Sequence, residues 1–462
     1  MTIERFILAL PVPKRDLAEW HERLLRLGSA DDVAELEIVG SASTKNPLHD
    51  GRAIQFVLTW GAVPAASKLV LSEGAPDGWA AYLEASQLVT IAAVLADVIV
   101  DAGGADLTAE ITEHAYELLE RYNRLGDVDF AEGAASAYIL LPSHVPSLSH
   151  SPDLHAFENG EWRVDEEART LYHALWPEPD KPSSVRDALF HLGERRILTE
   201  KGSSFVRRFA GEGQPEFRTL AERTVRPRGR ARVAAMDYRV REKTPEDELG
   251  EVLFELVQNT QWHGRDATSR SGRSLRVLRF AVERYTAEDL PAVRAEDAAL
   301  ADYLASALQL ADADRSGSSP VLVLGVVSII DDGLGLARSV AGNLGKLDEL
   351  DEQTEVVLLK TALNKTVRTS FRGTGNLGLP RVQLLMTNLR GFMTIRTGSL
   401  ELHRDFIARP IRPRPESPLF TEWVPEDYDD FYAGPRVGTD VTLMLPIDYT
   451  LGDVNHETNA RR

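Results

Sequence analysis

The pattern of apolar and polar positions predicts mixed strands and helices in the first part of the chain, mainly helix in the middle and a clear order of elements towards the end. Near the start, residues 52–60 (RAIQFVLTW) and 137–141 (AYILL) have the β-branched and aromatic density of strands, whereas 107–122 and the alanine-rich 81–100 have helical periodicity. They predict an α/β or α+β unit of unknown type. Pro142, Pro146 and Pro152, interleaved with serine and histidine, mark 142–153 as a connector. Residues 160–225 are expected to be mainly helical, with Ser183 or Ser184 as N-cap ahead of VRDALFHLGERRIL.

Towards the end the elements are ordered more clearly. Thr244-Pro245-Glu246-Asp247 places a capping residue before a proline at the first helical position and acids in the first turn, so a helix should run to about Trp262. Strands are predicted at 275–282 (LRVLRFAV) and 321–330 (VLVLGVVSII). A glycine turn, helical stretches around 348–366, a glycine-rich loop at 373–378 and a helix from about Pro380 follow, then strands at 392–396 and 441–445.

Composition narrows the class. A single hydrophobic core rarely grows past about 250–300 residues, so a chain of 462 should hold at least two domains. With 43% apolar and 27% charged residues it is an ordinary globular chain, not a collagen, coiled coil or disulfide scaffold. The formal charge of -19 repels polyanions and makes nucleic acid a poor default partner. A basic run at 223–232 (RTVRPRGRAR) fits a solvated linker, with an anion-binding or nucleic-acid arm as the alternative, and a domain boundary is placed there. The absence of cysteine excludes disulfides and thiolate metal sites. Charges appear before any signal-like apolar core, and the best apolar run, 321–330, is about half of a membrane span. A cytoplasmic protein with no membrane partner is expected.

Three pieces carry candidate chemistry. Glu255, Asn259 and His263 are four residues apart, so in a helix they drift only about 40° per step and share one face, with Leu253, Leu256 and Val257 on other sides. That stripe suits the border of a polar ligand, and an ordinary solvated face gives the same spacing. The run Ile329-Ile330-Asp331-Asp332-Gly333-Leu334-Gly335 ends a doubly buried strand in an acid, then glycines at alternating positions. Such an acid can accept a hydrogen bond from an exocyclic amine while glycines admit a flat ring; an Asp-Gly turn closing a strand is the plainer reading. Finally, Arg372-Gly373-Thr374-Gly375-Asn376-Leu377-Gly378-Leu379 opens a helix, where converging N–H groups and the helix dipole attract phosphate. It lacks the Gly-Lys-Ser/Thr ending of a P-loop.

In this order, about 70 and about 40 residues apart and closed by GTDVTLMLP at 438–446, the pieces resemble the GHKL (Bergerat-fold) ATPases. That superfamily includes type II topoisomerase ATPase subunits, large heat-shock chaperones, histidine kinases and mismatch-repair ATPases. The resemblance covers about 240–447. It implies an α+β chain whose residues 235–450 form a two-layer sandwich of helices on a mixed sheet, binding ATP and Mg2+ between the helix bearing Asn259 and a mobile lid. Residues 1–145 would form an α/β domain, 146–234 a helical connector and 451–462 a polar tail. By the resemblance, Glu255 activates the attacking water and Asn259 coordinates Mg2+. Asp331 meets the adenine amino group over Gly333 and Gly335, while Gly373, Thr374, Gly375, Leu377 and Gly378 form the lid near the phosphates. His263 stands where the family often has His or Tyr, as a ligand contact or a packing residue. The lid is one residue longer than the common form, and Asp332, outside the D-x-G-x-G spacing, is expected to face solvent.

Within the superfamily, His114, His173 and His191 are followed by Ala115, Ala174 and Leu192 and so do not fit a phosphoacceptor histidine followed by an acid. About sixteen residues follow Pro446, too few for a second domain supplying a lysine. The expectation is an ATPase or ATP-dependent switch acting with a protein partner. Alternatives are a kinase acting on a His or Ser of a separate protein and a nucleotide-sensing scaffold that does not hydrolyse ATP. The family also makes an ATP-dependent homodimer a candidate, and 422–432 (EWVPEDYDDFY) fits either a docking surface or an ordinary insertion.

Overall fold

Strand and helix alternate over the first part of the chain: β1 (Ile3–Ala9), α1 (Lys14–Arg26), β2 (Val33–Val39), α2 (Leu48–Ala62), β3 (Ala66–Leu71), α3 (Trp79–Ala85), α4 (Gln87–Leu95), β4 (Val98–Asp101) and α5 (Thr108–Asn123). The computed structural model describes residues 2–9, 12, 14–39, 46–72, 78–123, 136–142, 155–158, 161–164, 252, 256, 259–260, 275–312, 321–339, 351–364, 378–411 and 436–448. Strands β1 to β4 pair in parallel in that order, and parallel neighbours need crossovers, which the intervening helices supply. Phe6, Leu8, Leu36, Leu69 and Ile99 turn one sheet face into a core shared with α1, α2, α4 and α5. On the opposite face Arg5 pairs with Glu37 and Lys68 with Glu35.

The later elements are β5 (Ser136–Pro142), the hairpin β6 (His155–Glu158) and β7 (Glu161–Val164), β8 (Leu275–Tyr285), α6 (Leu290–Glu296), α7 (Ala298–Asp312), β9 (Leu322–Asp331), α8 (Glu352–Asn364), α9 (Gly378–Leu389), β10 (Phe392–Thr397), β11 (Leu400–Asp405) and β12 (Thr439–Asp448). Six strands form a second sheet in the order β11-β10-β12-β9-β8-β5. Every described pairing in it is antiparallel, so where the resemblance implied a mixed sheet, parallel and antiparallel pairings lie in two separate sheets. The class is α+β. Strand β5 lies before the expected connector yet pairs with β8 of the later sheet. Residues 161–164, expected to be helical, are a strand, and the rest of 165–225 lies outside the described residues.

Both faces of the six-stranded sheet are covered. On one, Val327, Ile329, Ile395, Val441 and Leu443 pack with Leu359 of α8, Val382 and Met386 of α9, and the helical residues Val252 and Leu256. On the other, Leu324, Val326, Phe392 and Met444 meet α6 and α7, while Val277 and Ile330 join the core of the parallel sheet.

Helix α2 is where the sequence expectation fails most clearly. Residues 52–60, predicted as a strand, are helical, because α2 is covered on all sides and thirteen of its fifteen residues are buried. A continuous apolar run has no polar face to reveal its period, so a buried strand and a buried helix look alike. The Asn46 side chain accepts the Leu48 N–H at 3.0 Å and helps to start the helix. The helix expected over 81–100 is likewise divided, ending as α4 at Leu95 before β4 begins.

The contact between α2 and the six-stranded sheet is partly apolar, through Leu48, and partly ionic. Arg52 reaches Glu401 at 2.6 Å and Asp297 at 3.2 Å. Burial disfavours its charge, but these two carboxylates outweigh that and raise its pKa. The fully buried Arg396 pairs with Asp440, and its Nη1 donates to the Leu48 carbonyl at 3.3 Å. Gln55 donates to the Arg396 carbonyl at 3.3 Å. Gly51 is glycine by necessity, since a Cβ there would lie 2.6 Å from Arg396 Nη2 and 2.9 Å from Asp440 Oδ2.

His21 on α1 is 3% exposed, and its Nδ1–H donates to the Leu17 carbonyl at 2.7 Å. Burial, and next the charge of Arg436, push its pKa down to about 3. Above the unfolded value of about 6.5 both states hold it neutral; below, only the unfolded chain takes up the proton, so stability falls as pH drops from about 6.5 towards 3. Urea titrations at pH 6.5 and 4.5 should show the parent losing about 2–3 kcal/mol more than His21→Gln over that interval. Parallel losses in the two proteins would contradict the assignment.

Candidate functional site

All ten residues of β9 are buried, and its last, Asp331, is 4% exposed. Alternation along the strand puts Asp331 on the same sheet face as Val327 and Ile329, the face that α8, α9 and the helical residues near 252–260 cover. Register brings two threonines to that end: Asp331 is opposite Thr439 of β12, and Thr439 is opposite Thr397 of β10. The three share one face and one sheet end.

The Asp331 carboxylate is held by one oxygen. Its Oδ1 accepts from the backbone N–H of Gly333 at 3.0 Å and of Thr439 at 3.2 Å. Burial raises its pKa to about 7; the charge of Asp332 adds to this, while the two N–H groups and Arg276 oppose it. Asp332, expected to face solvent, is instead 5% exposed, just past the end of a strand buried at every position.

The glycine turn after Asp331 is clipped in place. Gly335 has a φ of +82°, and a Cβ on it would lie 2.8 Å from Thr397 Oγ1 and 3.1 Å from the Gly438 carbonyl. Thr397 Oγ1 accepts from the Leu336 N–H at 2.8 Å, and Gly438 N–H donates to the Gly333 carbonyl at 2.7 Å. Gly438 itself has a φ of +76°, with its missing Cβ directed 1.7 Å from the Asp331 carbonyl.

Asn259 is helical and half-buried, and its Nδ2 has no hydrogen-bond partner among the described residues. Val252 and Leu256, seven and three residues before it, bury against the same sheet face, and at 100° per residue Asn259 lies just outside the arc they span, about 20° around the helix axis from Val252. The helix therefore directs Asn259 along the sheet and not wholly away from its apolar side. An uncommitted amide at such a position fits a polar ligand, and its oxygen is a group of the type Mg2+ takes beside phosphate oxygens. Among the described residues no cluster of three His, Cys, Asp or Glu could hold a metal alone.

Asp331, Gly333 and Gly335 are thus together, with Asn259 on a helix packed against the same face. Gly378 opens α9, whose Leu379, Val382 and Met386 join that core. Glu255, His263, Gly373, Thr374, Gly375 and Leu377 lie outside the described residues, as do 223–232 and 422–432. Thr397, Gly438 and Arg276 were not singled out in the sequence as site residues, although Gly438-Thr439 was visible in the closing motif. No family model matches the chain, and neither does any curated protein or solved structure. No helix among the described residues is long and apolar enough to cross a membrane.

Two substitutions test the geometry. Because the folded pKa of Asp331 is raised, the stability linked to its proton is complete below about pH 4 and lost as pH rises through about 7. Asp331→Asn keeps the oxygen acceptor without the titration, so its stability relative to the parent should improve by on the order of 3 kcal/mol between pH 4 and pH 8 in urea melts. A pH-independent difference would refute the burial. Gly438→Ala should cost more than about 3 kcal/mol in the same assay, having neither the backbone conformation nor the space for a methyl group.

Proposed function

We propose that this chain binds an adenine nucleotide with Mg2+ at the Asp331 end of the six-stranded sheet, as a GHKL-type ATPase or ATP-dependent switch. One observation carries the reading: a buried carboxylate, tied through one oxygen and followed by a clipped glycine turn, shares a sheet face with a helix whose Asn259 amide is uncommitted. Oδ2 of Asp331 is left to accept a hydrogen bond from an exocyclic amine, and Gly333 and Gly335 keep side chains off the ring. Asn259 would hold Mg2+ against the phosphates, with Glu255 as the base for water. The bound metal would neutralise phosphate charge.

The chemistry at Asp331 gives the reading a pH signature. An amine donor needs the carboxylate, and with a pKa of about 7 that form is the minority at pH 6 and the majority at pH 8. Calorimetry with ADP and Mg2+ should show affinity rising about tenfold from pH 6 to pH 8, with proton release near pH 7. Asp331→Ala should abolish binding, and Glu255→Ala should retain binding and stop hydrolysis. No heat with any adenine nucleotide would remove the proposal. Labelled ATP separates the outcomes: free phosphate marks an ATPase, a labelled partner protein a kinase, and binding without turnover a sensor.

A further inference from the structure

Residues 436–439 make four consecutive backbone donations, reaching three separate parts of the protein. Arg436 N–H goes to the Gly398 carbonyl in the β10–β11 turn at 3.0 Å, and Gly438 N–H to the Gly333 carbonyl in the glycine turn at 2.7 Å. Thr439 N–H goes to the Asp331 carboxylate at 3.2 Å. Between them, Val437 N–H goes at 3.3 Å to Oγ1 of Thr59, on helix α2 of the N-terminal unit.

Thr59 is fully buried, and its own hydroxyl donates to the Gln55 carbonyl at 2.8 Å, which aims the oxygen lone pair outward. Its position is fixed from two sides. Gln55, one turn earlier, donates to the Arg396 carbonyl, and Trp60 donates through Nε1 to the Ala34 carbonyl in the parallel sheet at 2.9 Å. The contact therefore joins a buried helix of the N-terminal unit to the segment that shapes the acid and the glycine turn.

We propose that Thr59 is a positioning residue for the nucleotide site: through Val437 it holds segment 436–439, and so lets the N-terminal unit set the geometry of Asp331 and its turn. The proposal rests on the nucleotide reading above for its functional consequence, though not for the mechanical link. By linkage, what shifts α2 changes nucleotide affinity, and nucleotide changes the protection of α2 by the same factor. This gives the N-terminal half a role in the site although none of its side chains touches Asp331 in the hydrogen bonds described.

The test compares Thr59→Val, which is of similar shape but has no oxygen, with Thr59→Ser, which keeps the acceptor, both in the full chain. Without ligand, hydrogen exchange resolved to single amides should show Val437, whose N–H loses its acceptor, and with it the neighbouring Gly438 and Thr439 of the loosened segment exchanging at least about fivefold faster in Thr59→Val than in the parent. Thr59→Ser should restore parent rates. If Gly438 and Thr439 exchange at parent rates in Thr59→Val, or if Thr59→Ser fails to restore them, the link is wrong. With ADP and Mg2+, Thr59→Val should bind at least about threefold more weakly than Thr59→Ser. Equal affinities, with only the unfolding midpoint lowered, would reduce Thr59 to a structural residue and overturn the proposal. A parent that binds no adenine nucleotide, while the amide effect appears, would leave the mechanical link standing and sink the nucleotide reading together with the role assigned to Thr59.

Discussion

The buried pair of Arg396 and Asp440 constrains everything around it. Neither side chain has any exposure to water, and a buried ion left without its partner is penalised by several kcal/mol. The remaining guanidinium hydrogens also call for acceptors: Nη1 finds one on the backbone of α2 at Leu48, while Nε has no hydrogen-bond partner among the described residues. Gly51 provides the space for that approach. Helix α2 is therefore required by the sheet, and the sheet by α2. Arg52, with Glu401 and Asp297, repeats the arrangement one residue further along the helix.

Strand periodicity carries that constraint to the other side of the sheet. Successive residues point to opposite faces, so Arg396 and Thr397, Asp440 and Thr439, and Ile330 and Asp331 are back-to-back pairs on three neighbouring strands. The member facing α2 packs in an ionic or apolar contact with the N-terminal unit. Its neighbour helps to form the candidate site. A polar layer locked by specific pairs resists sliding in a way that a purely apolar contact does not, and the Asp331 end is accordingly built on a fixed support.

The same arrangement accounts for the electrostatics of the site. Asp331 receives two N–H donations, which alone would depress its pKa, yet burial and the adjacent Asp332 prevail and bring it to about 7. A carboxylate in this condition is a sensitive acceptor, because a single further donor shifts its protonation near neutral pH. That property suits recognition of an amine-bearing ring, and it depends on the closure of the sheet end by Gly438, Thr439 and the glycine turn.

The sequence alone determined elements whose signals are local. The helix at 107–122 appears as α5, the strand at 321–330 as β9 and the helix from about Pro380 as α9, each within a few residues of its observed bounds. The acid and two glycines at 331–335 were legible for the same reason, since strand end and turn are neighbours in the chain. The nature of 52–60 was not, because full burial removes the polar face from which a period is read. The helices α6 and α7 and strand β11 also passed unrecognised, although Pro291 at the start of α6 was an available signal. Tertiary structure decided what lies across long separations: Arg52 with Glu401, 349 residues away, and Val437 with Thr59, 378 away. No local pattern encodes such partners, for a buried charge states only that it needs a counterpart, and the folded chain chooses which one.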